Sequence, residues 1–272
     1  MTISSAFNSA NSALPVERIS PRFSEKRDTD KIIAYYEANT HEHVHVRKRD
    51  WIEHHAEKGQ FLIFETQEGE IIASSAAYDY VAKGDGPDSP SYYEIGSTNF
   101  APKGRGYGLY PFVIASQVID AFLRIPPGKN FIANVYDDSP VGRKMLVPKA
   151  GWSQDNVSKD VLDKFYQTKS PSNDNGTSMS WYAAKSSSLP HQARLVLSEM
   201  RRSLWLHKSG EKGIELDFSK FDLAKEHYQT LLMLAYSDFA FSLERNPDRD
   251  LEQTRRDFQE FMEALPAPGV ML

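Results

Sequence analysis

Residues 99–111 read Asn99-Phe100-Ala101-Pro102-Lys103-Gly104-Arg105-Gly106-Tyr107-Gly108-Leu109-Tyr110-Pro111, and an apolar run from Phe112 to Leu123 follows at once. Three glycines at alternate positions leave the backbone uncovered and free to take positive φ, so that successive amide N–H groups can turn toward one anion. Pro111 suits the first turn of a helix, whose N-terminal donors and dipole favour phosphate. The stretch reads as a pyrophosphate-binding turn; the plainer alternative is a tight turn that holds no ligand.

Spacing excludes the two commonest phosphate motifs. A dinucleotide fingerprint needs G-x-G-x-x-G, but after Gly104 and Gly106 the required position is Leu109. A P-loop needs G-K-[ST] after four intervening residues, and the chain has no such triplet. What remains resembles motif A of the GNAT superfamily of acyl-CoA N-acyltransferases, R/Q-x-x-G-x-G/A, which follows a strand ending in V-x-P. Two registers fit. Lys103 at the R/Q position aligns Gly106 and Gly108 but shortens the strand-to-loop spacing by two residues. Arg105 at that position keeps Phe100-Ala101-Pro102 as the V-x-P equivalent and Gly108 as the central glycine, with Tyr110 where a small residue is usual. The second register is preferred, and it puts Val113, Ile114, Val118, Ala121 and Phe122 on one helical stripe.

Composition narrows the class. A chain of 272 residues with 40% hydrophobic content can bury a full core. Its longest apolar run stops short of the roughly 20 residues that span a bilayer, and no basic-then-apolar signal opens the chain, so no membrane partner is expected. A net charge of −5 argues against a broad grip on nucleic acid. Cysteine is absent, which removes disulfides, cysteine zinc sites and thiol nucleophiles together and suits a cytoplasmic enzyme. Residues 1–15, rich in Ser, Asn and Ala, read as a flexible tail, with a non-cleaved export signal as the alternative.

Taken in order, Val16 to Phe23 forms a strand, and Asp28-Thr29-Asp30 offers caps for a helix from Lys31 to Ala38. A second helix spans Lys48 to Lys58 and closes on Gly59 at C′. His41, His43 and His45 lie between them, but no carboxylate completes a recognised metal motif, so no metal is expected. Gln60 to Thr66 and Glu70 to Val81 form a hairpin about Gln67-Glu68-Gly69. A loop follows from Ala82 to Pro90. Ser91 to Ala101 is the strand that enters the glycine turn. Asn130 to Tyr136 is a strand, Ser139 to Lys149 a short helix, Gly151-Trp152 a bend, and Met179 to Ala184 a last strand. This order is that of the GNAT fold over residues 16–184. The fold expected is thus α/β: a GNAT-like mixed, mostly antiparallel central sheet flanked by helices. Residues 185–272 read as a C-terminal helical extension with helices around Leu189–Leu204, Phe221–Phe241 and Leu251–Leu265, serving as a lid or as a homodimer interface.

The resemblance carries site expectations. The second family motif aligns with Asn134 and Ser139 and then with Lys149, Gly151 and Trp152, while Val147 stands where the family often places a tyrosine acid. Asn99, Phe100 and Ala101 would pair by backbone with the pantetheine arm of acetyl-CoA. The amides of Arg105, Gly106, Tyr107, Gly108, Leu109 and Tyr110 would hold its pyrophosphate, and Asn134 and Ser139 would contact the pantetheine or adenosine end. Glu94, on the strand leading to the turn, is the candidate base, and Tyr136 the nearest candidate acid. Tyr78, Asp79 and Tyr92 are candidate acceptor-binding residues, although alternate strand residues point opposite ways. The activity implied is transfer of an acyl group to a primary amine of a small molecule or protein; the alternative is a non-catalytic CoA-binding or partner-binding module.

Overall fold

The computed structural model describes residues 16–40, 47–80, 92–107, 109–110, 113–114, 116–118, 120, 130–139, 146, 152–154, 163, 178–184, 193, 204–206, 213–217, 252 and 256. Its strands are β1 (Val16–Phe23), β2 (Phe61–Thr66), β3 (Ile71–Tyr80), β4 (Tyr92–Phe100), β5 (Asn130–Tyr136), β6 (Trp152–Ser153), β7 (Met179–Ala184), β8 (Leu204–Leu206) and β9 (Gly213–Leu216). Two helices, α1 (Thr29–Ala38) and α2 (Arg49–Glu57), separate β1 from β2. Together the strands make one nine-stranded sheet in the order β6-β7-β5-β4-β3-β2-β1-β9-β8. The β1–β9 and β4–β5 pairs are parallel and the other six are antiparallel.

Strand β2 is buried at all of its positions and β3 through Tyr78, which requires cover on both faces. On one face Ile32, Tyr35 and Tyr36 of α1 and Ile52 and Ala56 of α2 pack on Phe61, Ile63, Ala76 and Tyr78. On the other, the helical residues Tyr110, Ile114 and Val118 pack on Ala77, Tyr93 and Ile95. Small residues at Ala73–Ala77 let both helical layers approach the sheet closely. The turn that ends α2 follows from Gly59 at φ 66°, whose amide donates to the Ala56 carbonyl at 3.0 Å.

An ion-pair network fixes α1 against the sheet. Arg22 of β1 bonds both oxygens of Asp28 at 2.7 Å and Glu65 of β2 at 2.9 Å, and Lys31 also reaches Glu65. Burial is the largest single effect on both carboxylates and works to raise their pKa values, yet the hydrogen bonds from Arg22, the Glu25 amide on Asp28, Lys31 on Glu65 and the two cationic charges together outweigh it and hold both below the ordinary range.

Two expectations need correction. The bend at Gly151-Trp152 is in part a strand, since Trp152 and Ser153 pair with Ala184 and Ala183. The segment beyond residue 184 is not all helical: Leu204 opens strand β8, and β9 pairs in parallel with β1 through Val16–Gly213 to Ile19–Leu216. Strands of three and four residues leave too little alternation to be recognised in a sequence. The helices expected over Phe221–Phe241 and most of Leu251–Leu265 lie outside the described residues, as do the histidines at 41, 43 and 45 and most of the helix expected over 139–149.

Candidate active site

The site is organised by an irregularity in β4. Ala76 pairs with Gly96 but Ser74 with Asn99, so β4 carries one extra residue over this interval. The extra residue distorts the strand at Ser97, which takes φ 50°, a region few residues other than glycine adopt. Side chains from both helical layers hold this bulge. The Tyr36 hydroxyl donates to the Ser97 carbonyl, Tyr35 donates to the Asn99 carbonyl at 2.8 Å, and Gln117 donates to the Ser75 carbonyl at 2.7 Å. Burial raises the pKa of both tyrosines, so they remain neutral donors.

Beside the bulge the sheet opens. Strands β4 and β5 pair only at Tyr92–Asn130, Tyr93–Phe131 and Glu94–Ile132. Beyond that point β4 runs on to Phe100 and β5 to Tyr136 without pairing, which leaves a wedge between two parallel strands. Glu94 stands at the last paired position and is 3% exposed, while Gly96, Ser97 and Thr98 are partly open. Directly across the β3–β4 ladder is Tyr78, which hydrogen-bonds Glu94. Burial, and then the charge of Glu94, push the Tyr78 pKa well up. A Cβ at Gly96 would lie 3.2 Å from both Glu94 Oε1 and Tyr78 Oη, so a bare backbone leaves room at this corner.

Arg47, just ahead of α2, completes the corner. Its Nη2 donates to Tyr78 Oη at 3.0 Å and its Nε to Ser97 Oγ at 3.2 Å. The guanidinium lies 4.7 Å from the centre of the Trp51 ring. His55 packs 5.2 Å from the Tyr78 ring, and burial lowers its pKa, so it is uncharged at neutral pH.

Past β4 the chain makes a tight turn. Ala101 N–H donates to the Ile72 carbonyl at 2.9 Å, and Pro102–Gly104 forms a single 3-10 turn. Gly104 is pressed on that carbonyl: a Cβ there would come within 2.5 Å of it. Gly106 takes φ 87°. Val113 N–H then bonds the Leu109 carbonyl at 3.0 Å, opening the following helix. Tyr107, Leu109 and Tyr110 anchor the turn by burial, and Tyr110 packs 6.0 Å from the Phe100 ring.

Antiparallel β1–β4, two helices between β1 and β2, and β4 running into a glycine turn and helical residues before β5 follow the order of elements expected from the sequence, and the structure adds β6 on the outer side of β7. For the residues described, this order is the one that the GNAT resemblance implies. Neither a family model nor a curated protein matches the sequence. Among solved structures, it is similar to a GNAT-family acetyltransferase from Listeria monocytogenes, at 16% identity and TM-score 0.42, over 60% of this chain and 93% of that one. The N-acetylglutamate synthase of Neisseria gonorrhoeae, solved with coenzyme A and N-acetyl-glutamate, aligns at 17% identity and TM-score 0.40, over 61% of this chain and 34% of that one. A chain of the NatC complex bound to Gag peptide and CoA aligns at 10% identity and TM-score 0.47, over 61% of this chain and 98% of that one.

On this frame the expected residues divide. Glu94 and Tyr78 meet, as described. Asp79 is exposed, and strand alternation turns it to the opposite face from Tyr78, so it is not at the Glu94 corner. Tyr92 shares the Glu94 face but packs with Ile132, Trp181 and Ala183 in a separate apolar cluster. Tyr136 lies four residues beyond the Glu94–Ile132 pair, about 13 Å along the strand, and is buried. That distance separates it from Glu94.

The backbone of Asn99–Ala101 is largely engaged within the chain. Tyr35 takes the Asn99 carbonyl, Asn99 Oδ1 accepts from Phe100 N–H at 2.8 Å, and Arg105 Nε donates to the Phe100 carbonyl at 2.9 Å. The Asn99 amide also donates to the Asn39 carbonyl at 2.9 Å, tying the end of α1 to β4. Two of these bonds, those from Phe100 N–H and Arg105, are local and at the partly open edge. Lys103, the alternative R/Q residue, is paired with Glu17 at 2.7 Å and Glu70 at 2.9 Å. Asn134 Oδ1 is buried without a hydrogen-bond partner, on the β5 side of the wedge. Ser139 is buried, and its amide donates to the Tyr136 carbonyl at 3.0 Å. Gly108 lies outside the described residues.

Sequence reading did not single out Arg47, Trp51, Gly96 or Ser97. A bulge is a relation between two strands, and period-2 alternation within β4 carries no sign of it. Arg47 belongs to a stretch of mixed histidines and bases that reads as a solvated connection.

Proposed function

We propose that the chain is an acyl-CoA-dependent N-acyltransferase, with acetyl-CoA as the donor and a primary amine as the acceptor. The observation that carries this reading is the position of Glu94: a buried carboxylate, bonded to a tyrosine, where β4 parts from β5 beside the bulge. The residues present suit the donor. Gly104 admits no side chain in the turn, Gly106 adopts positive φ, and Asn134 Oδ1, on the part of β5 that is not paired with β4, is an orphaned buried acceptor. The thioester would supply the activated acyl carbon.

Glu94 takes the proton from the acceptor nitrogen, directly or through one water, as that nitrogen forms its bond to the acyl carbon. The carbon–sulfur bond breaks, and the electron pair leaves on sulfur. A thiolate of pKa about 8.5 leaves readily and takes its proton from water. Tyr78 is too weak an acid to protonate it usefully, and in this scheme it holds the carboxylate in place. Residues Arg105 to Tyr110 would hold the pyrophosphate, with the Phe100 edge and Asn134 flanking the pantetheine arm.

The engaged Asn99–Phe100 backbone favours a second reading, a CoA-binding module without turnover. Glu94→Gln separates the two. The enzyme reading predicts CoA release with an amine panel for the wild type and its loss in the variant, with CoA binding retained. Tight CoA binding with no turnover over the panel would favour the module.

A further inference from the structure

Arg47 is half-buried, and two aromatic faces and two hydroxyls hold it. Its Cζ lies 4.7 Å from the Trp51 ring centre and 5.8 Å from that of Tyr78. It bonds Ser97 Oγ and Tyr78 Oη, and among the described residues no carboxylate forms an ion pair with it. A guanidinium has five N–H donors, and these bonds engage two, so three are left for another acceptor. The Trp51 ring beneath Cζ adds a cation–π contact that helps hold the guanidinium. A partly desolvated cation, with no carboxylate in direct contact among the described residues, is poised for an anion.

Its relation to Glu94 defines the anion. Tyr78 Oη accepts from Arg47 and donates to Glu94, so base and guanidinium stand about 5 Å apart, two hydrogen bonds joined at one oxygen. An amine placed at Glu94 brings substituents of its own carbon within reach of Arg47. His55, which also packs on Tyr78, has its pKa lowered by burial, so among the described residues packed on Tyr78 Arg47 is the charged base. That matches a single carboxylate better than a dianionic phosphate, which would stand beside Glu94 half-neutralised.

Resting on the acyltransfer reading above, we propose that Arg47 is the carboxylate clamp of the acceptor site and that the acceptor is a free α-amino acid, its carboxylate on Arg47 and its nitrogen at Glu94. A protein N-terminal amine, whose α-carboxyl is a neutral amide, lacks the group that Arg47 selects.

The test uses the full chain with acetyl-CoA and the common protein amino acids, each beside its α-amide and its decarboxylated amine. CoA release measures turnover, and thermal shift in the presence of CoA measures binding. The acid should exceed its amide in kcat/KM by about 10- to 100-fold, the range for hydrogen bonds to a charged group. Arg47→Gln should collapse that ratio through KM, and Arg47→Lys, which keeps the charge but loses the fork, should restore part of it. If amides and amines react as well as acids, or if Arg47→Gln leaves the ratio unchanged, the clamp is wrong and acyltransfer stands. If nothing turns over but amino acids bind in an Arg47-dependent way, the clamp stands and acyltransfer falls. With neither turnover nor binding, both fall.

Discussion

Tyr78 and Glu94 face each other across the β3–β4 ladder, and the tyrosine hydroxyl, itself held by Arg47 at 3.0 Å, hydrogen-bonds the carboxylate. The pair lies at the last rung before β4 and β5 separate. Position and hydrogen bonding thus come together at one carboxylate. Glu94→Gln should lower kcat by about 10²- to 10⁴-fold, the usual contribution of a positioned base, with stabilisation by CoA intact. A stopped or continuous assay of CoA release checks it, and a loss below tenfold would remove Glu94 from that role.

Tyr78→Phe deletes the link between Arg47 and Glu94 without emptying the core. Loss of a hydrogen bond to a charged group is worth about 1.5–3 kcal/mol, so kcat/KM should fall roughly 10- to 100-fold while the fold persists. Unchanged turnover would show that Glu94 needs no orienting partner.

Gly104→Ala puts a methyl group within 2.5 Å of the Ile72 carbonyl, a backbone atom that cannot swing aside. The turn must shift, at about 1–3 kcal/mol, and for a chain of this size each kcal/mol lowers Tm by roughly 2–4 °C. Calorimetry should also find weaker stabilisation by CoA, because the displaced backbone is the proposed phosphate cradle.

The acid limb of stability should be set by Arg22. Asp28 and Glu65 have pKa values lowered from ordinary values of 3.8 and 4.5, so each binds its proton more weakly folded than unfolded. Their contribution is complete above about pH 4.5 and is lost as pH falls through the folded values. Arg22→Met should cost about 3 kcal/mol at neutral pH, where it leaves Asp28 without its cation and Glu65 with Lys31 alone, and progressively less as pH falls through the folded carboxylate values. Urea unfolding of both proteins across that range is the check; a constant difference would contradict it.

Much of this architecture is legible in the chain because period-2 alternation and turn residues are local. Strands β1, β5 and β7 fall at their expected bounds, and Gly59 and Gly69 take the positive φ that their turns require. The freedom of the glycine turn to take positive φ is legible too, and Gly106 uses it, whereas the burial of Tyr107 and Leu109 emerges only in the structure. What stayed hidden depends on partners. Alternation says that Tyr78 and Asp79 diverge but not which one meets Glu94, and only the ladder decides that. The Ser97 bulge is an offset between strands, and Arg47 acquires meaning only when α2 folds back beside β3 and β4. Strand β9 was missed for a related reason: its pairing with β1 joins residues almost 200 positions apart, which no short window contains.

Thermal unfolding of the purified chain with acetyl-CoA, CoA and ATP reads binding of the acyl donor itself. A ligand that binds only the folded state adds roughly 2.7 kcal/mol at about 100 times its dissociation constant, which is a shift of about 5–10 °C. The account predicts that acetyl-CoA and CoA raise the transition well beyond any effect of ATP. A transition that none of the three moves would contradict it and leave the glycine turn a structural feature alone.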